Sequence, residues 1–93
     1  MTSKQELAKS GFQLAIDLEE VADSYHIRSD EHEMLLYEAA IVEAKSHYLK
    51  EGTPVEPNLE TSLFAERGGG MIGVRSPKLM QRINTFHQAF KEF

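Results

Sequence analysis

The residues best equipped for chemistry stand together in the run Arg67-Gly68-Gly69-Gly70-Met71-Ile72-Gly73-Val74-Arg75-Ser76-Pro77-Lys78. Gly68, Gly70 and Gly73 have the spacing G-x-G-x-x-G, which allows a backbone to approach a phosphate closely. Ser76 would open a helix whose first N–H groups face such an anion, with Arg67, Arg75, Lys78 and Arg82 supplying positive charge. A dinucleotide fold also needs a strand before the glycines, a helix directly after them and an acidic residue about twenty positions on. No strand pattern precedes Arg67. The same segment supports a second chemistry, in which Met71, Ile72 and Val74 form an apolar tip on a glycine hinge and insert into a partner's groove. The sequence therefore predicts a partner-binding loop over residues 67–75.

Two pairs of side chains have the spacing of metal ligands on a helix. Asp23 and His26 are three apart, and Glu43 and His47 are four apart. Neither pair is joined by a second Glu-x-x-His motif of the di-iron type, so no metal and no cofactor is expected. The run His47-Tyr48-Leu49-Lys50-Glu51-Gly52 resembles the His-x-Leu-Lys-Gly signature of histidine phosphotransfer domains over six residues, with Glu51 inserted. The resemblance implies a helical bundle whose helix runs on past the glycine and which carries a phosphate-accepting histidine, here His47. No Ser, His and acid constellation points to hydrolysis. An enzyme is not expected.

Composition narrows the setting of these residues. A chain of 93 residues holds one domain, residues 1–93, with 41% hydrophobic and 27% charged side chains. The absence of cysteine excludes a disulfide framework, a thiolate zinc site and a thiol nucleophile. The first residues lack the apolar run of a secretion signal, and no stretch approaches the roughly 18 apolar residues of a membrane span. These features predict a cytoplasmic protein without a membrane segment. The net charge of −5 is divided unevenly: residues 1–66 carry five basic and fourteen acidic side chains, whereas residues 67–93 carry five basic ones and Glu92. The two parts attract each other within or between chains, or the basic third meets an anionic partner.

The elements that must position these groups are helices. Ser3 and Glu6 form a capping-box pattern, and Leu7, Gly11, Leu14, Ala15, Leu18, Val21, Ala22 and Tyr25 recur at helical spacing, predicting a helix over 4–25. Gly11 inside this apolar stripe predicts the close approach of another backbone. Ser29, followed by Asp30, Glu31 and Glu33, opens a second helix over 30–51, which Gly52 and Pro54 end. That helix carries two apolar seams. One consists of Met34, Tyr37, Ile41, Ala44 and Tyr48. The other is Leu35, Val42 and Leu49, seven apart, with the small Ala39 and Ser46 beside them, and it is assigned to an oligomer contact. Glu38 and Lys45 sit between the seams.

Asn58 is placed to cap a short helix through Leu59, Leu63 and Phe64. Ser76-Pro77 opens the last helix, whose Leu79, Ile83, Phe86, Phe90 and Phe93 must be buried. The sequence thus predicts an all-α bundle of three main helices plus a short one, with a Gly-rich loop before the last helix. Its size, surplus apolar seams and loop point to a non-enzymatic protein-interaction module. Such a module would act as an adaptor, regulator or inhibitor of another protein and would form a homo-oligomer, most simply a dimer, while the net charge of −5 disfavours nucleic acid. The alternatives are a phosphate, nucleotide or nucleic-acid binder working through the basic loop and last helix, and phosphotransfer through His47.

Overall fold

The computed structural model describes residues 3–59 and 77–93, with the side chain of Asn58 left aside. Three α-helices pack around one core: α1 (Lys4–Ala22), α2 (Asp30–Glu51) and α3 (Pro77–Phe90). Among the described residues there is no strand. The fold is all-α, as the periodicities require.

Helix α1 starts where its cap dictates. Ser3 is extended, at φ −74° and ψ 161°, and its hydroxyl accepts the Glu6 N–H at 3.1 Å. The helix ends at Ala22, three residues short of the predicted end. Its backbone tightens there into three-residue bonds, Ser24 N–H to Val21 and Tyr25 N–H to Ala22. The His32 ring then takes up the Ala22 carbonyl at 2.7 Å. A carbonyl only accepts, so Nδ1 of His32 is the protonated nitrogen, and α2 caps the helix before it.

Ser29 caps α2 by accepting the His32 N–H at 3.2 Å, with Asp30, Glu31 and Glu33 in the positive first turn. The helix stops at Gly52, whose φ of 76° lies in the left-handed region and whose N–H reaches the Tyr48 carbonyl at 2.9 Å. The continuation implied by the phosphotransfer resemblance is therefore absent at this glycine. Pro57–Leu59 form a single 3₁₀ turn against α2. Asn58 lies in this turn, and the short helix predicted to continue to Leu63 and Phe64 falls outside the described residues.

Helices α1 and α2 form an antiparallel hairpin, and this corrects the predicted oligomer seam. Leu35, Ala39, Val42, Ser46 and Leu49 are all buried within the chain itself. They lie in the same core as Leu7, Leu14, Ala15 and Leu18 of α1. Seven-residue spacing defines a face that needs a neighbour, and here that neighbour is α1. The crossing is tight at Gly11, where a Cβ would collide with Ser46 Oγ and lie 2.6 Å from the Phe86 ring. The close approach predicted at Gly11 is thus made by two side chains, not by a backbone.

Helix α3 closes one side of the hairpin. Leu79, Ile83, Phe86 and His87 are buried, Phe90 meets Tyr48 edge to face at 5.8 Å, and Arg82 bonds Asp17 of α1 at 2.8 Å. The burial expected for Phe93 is corrected, since 37% of it is exposed. The helix ends at Phe90 and its last bonds become three-residue turns, so the helical spacing that would carry Phe93 onto the buried face lapses.

Candidate functional site

Three polar side chains meet beneath α3. Glu38 and Lys45, seven apart on α2, share one line of that helix and converge on His87. Nε2 of His87 lies 2.7 Å from Glu38 Oε1, and Nδ1 lies 3.0 Å from Lys45 Nζ. Donor and acceptor chemistry fixes the proton positions. An ammonium has only hydrogens to give, so Nδ1 accepts from Lys45, and Nε2–H donates to the Glu38 carboxylate. The imidazole thus bridges Lys45 and Glu38 through its two ring nitrogens. Lys45 also lies over the Phe90 ring, 5.0 Å from its centre. All three residues are buried. The cluster ties α3 to α2, because His87 bonds Glu38 through one ring nitrogen and Lys45 through the other.

Glu38 and Lys45 stand out in the sequence as charges between two apolar seams. His87 does not, since its signal is faint: it follows Ile83 by four residues and precedes Phe90 by three, so it shares their stripe.

The residues predicted for chemistry have different fates. Arg67, Gly68, Gly69, Gly70, Met71, Ile72, Gly73, Val74, Arg75 and Ser76 lie outside the described residues. Of the remaining anion contacts, Lys78 is exposed beside a groove of about 520 Å³ between α1 and α3. Arg82 lines the same groove, but its guanidinium is held by Asp17. This bond, with a second from Gln13, keeps the Asp17 carboxyl below the usual aspartate range. The basic third of the chain is thus engaged with the acidic part through Arg82 and Asp17.

His47 is half-exposed and stands between Glu43 and Glu51, 3.7 Å from a carboxylate oxygen of each. A phosphoryl group there would meet two carboxylates of its own sign. The His47 ring also packs edge-on against Phe12 at 4.8 Å. His26 accepts the Arg28 N–H at Nδ1. Among the described residues no three potential ligands gather as a metal site.

Among the described residues no helix covers the other side of the α1/α2 hairpin, called the open side below. Phe12 is half-buried beside His47, Ile16 is 50% exposed, and Leu36 of α2 is 40% exposed. Stepping round each helix by roughly 100° per residue puts Phe12 and Ile16 on the α1 flank away from α3. The same step puts Leu36, Ala40, Glu43 and His47 on the matching flank of α2. Ala8, Phe12, Ile16, Lys9 and Lys50 line a groove of about 510 Å³ at one end of this face. Lys50 rests its ammonium over the Phe12 ring at 5.8 Å.

These features define a small helical bundle with one sealed and one open side. No protein-family model, no characterised protein and no solved structure matches the chain. Among the described residues no helix is long and apolar enough to cross a membrane.

Proposed function

We propose that the protein is a non-catalytic interaction module, an adaptor, regulator or inhibitor that engages another protein surface through the open side of α1 and α2. The observation that carries this reading is the placement of Ile16, Phe12 and Leu36. They form an apolar strip on the side of the hairpin opposite α3, at positions where stability alone does not require them. A two-helix face of this kind suits a further helix, whose apolar side chains would lie between those of α1 and α2. The loop over residues 67–75 remains a second contact segment on the strength of its sequence. A cytoplasmic setting agrees with the lack of cysteine. The phosphate-binding alternative rests on residues 67–76 and Lys78, because Arg82 is already bonded to Asp17.

A photo-reactive amino acid at position 16, expressed in the native host, tests the proposal. Position 84, exposed on α3, serves as the control. A protein adduct from position 16 and none from position 84 is the expected result. No adduct from position 16, or equal labelling from both, contradicts it.

A further inference from the structure

The open face has a charge pattern that selects its occupant. Because α1 and α2 run antiparallel, the start of α1 lies beside the end of α2. Lys9 and Lys50 therefore stand at one end of the face, where the carboxylate of Glu51 lies 3.7 Å from His47. At the other end stand Glu19 and Asp23 from α1 and Glu33 from α2, all exposed. Apolar residues occupy the middle, with Glu43 held beside its own His47 at 3.7 Å.

A surface of this kind is complementary to itself. A two-fold axis through its centre turns the second copy end for end, so basic end meets acidic end and apolar middle meets apolar middle. On α1 the stripe Lys9, Phe12, Ile16, Glu19 reads in reverse as acid, apolar, apolar, base. Lys9 thus falls opposite Glu19 of the second copy, and Phe12 opposite Ile16. With the axis along the helices, α1 would instead lie on α2 of the second copy, bringing Lys9 to the Lys50 end and Glu19 to the Glu33 end.

We propose that a second copy of this chain docks antiparallel on the open face of α1 and α2, forming an isologous dimer across Phe12, Ile16 and Leu36. This rests on the reading of that face as a recognition surface and names its occupant. The dimer contact differs from the Leu35–Leu49 seam, which is buried within each chain.

Sedimentation equilibrium of the full chain tests the proposal. The wild type should give twice the 10.5 kDa chain mass, and Ile16→Lys should give the single-chain mass while keeping its helical circular dichroism. Lys9→Glu and Glu19→Lys should each weaken dimerisation roughly tenfold at low salt, because each creates a like-charge contact twice per dimer. The double variant restores opposite charges and should recover wild-type affinity. This charge swap remains informative if Ile16→Lys fails to fold. A single-chain mass for the wild type at every concentration up to millimolar overturns the dimer. So does a dimer that survives Ile16→Lys, and a double charge reversal no tighter than either single variant overturns the antiparallel register. Cross-linking at position 16 separates the two levels: an adduct solely with a different protein removes the second copy and leaves the module, whereas no adduct removes both.

Discussion

The two sides of the α1/α2 hairpin carry apolar residues at similar spacing, yet they are built for different ends. Against α3 the hairpin presents Leu14, a glycine cut to fit Phe86, and the buried Glu38 and Lys45, both bonded to His87. Each of these features needs α3 in one position. On the far side, Phe12, Ile16 and Leu36 sit among lysines and carboxylates that reach water. The contrast separates surface that specifies the fold from surface left for association. Buried polar contacts impose register because misalignment leaves a charge without its partner. An apolar strip with charged ends allows a reversible contact, steered by electrostatics.

The largest effects should come from the sealed side. Phe86→Ala removes a buried ring at the three-helix crossing and should cost about 3–5 kcal/mol, measured by urea unfolding. A midpoint within error of wild type would show that α3 does not close the core. Glu38→Gln preserves shape but replaces the buried carboxylate that accepts from His87 with a neutral amide. A loss of about 3 kcal/mol is expected, and a loss below about 1 kcal/mol would mean that the carboxylate's charge is not needed there. Gly11→Ala sets two effects against each other. The alanine gains up to about 1 kcal/mol in helix propensity, but its Cβ collides with Ser46 Oγ and Phe86, and overpacking costs about 1–3 kcal/mol. Net destabilisation should follow, with partial recovery when Ser46→Ala removes the hydroxyl.

The Arg82–Asp17 pair should matter less, because both partners reach solvent. Arg82→Ala should cost about 0.2–1 kcal/mol at neutral pH. Asp17 has a lowered carboxyl pKa in the folded chain, so its contribution is complete above the unfolded aspartate value and is lost as pH falls through the folded one. The stability difference between wild type and Arg82→Ala should therefore shrink in acid. A difference that grows on acidification would contradict the bridge. Smallest of all should be the effect of Ile16→Lys on the stability of the single chain, within about 0.5 kcal/mol.

Much of the fold is legible in the sequence because helix ends are local events. Ser3, Ser29, Gly52 and Pro77 mark their boundaries through single hydrogen bonds, one φ angle or one missing N–H. Pairing of faces is not local. The spacing of Leu35, Val42 and Leu49 shows that α2 needs a neighbour along that line, but α1 and a second chain satisfy the pattern equally well. The polar cluster is hidden for a related reason. His87 joins residues 42 and 49 positions away, and nothing within α3 records that distance. The open strip escapes notice because Phe12 and Ile16 lie beside the main apolar stripe of α1, where isolated apolar residues are ordinary.

The account stands most directly on a comparison of two isoleucines, Ile16 on the open side and Ile83, fully buried on the sealed side. Placing lysine at each position and following urea unfolding of both variants, at one concentration low enough for single chains, gives the decisive measurement. Ile83→Lys should abolish the cooperative transition or lower its midpoint far below wild type, since it forces a charge into the core, whereas Ile16→Lys should unfold at the wild-type midpoint. Equal destabilisation by the two lysines would mean that the open side belongs to the core, and would contradict the division of labour between the two faces.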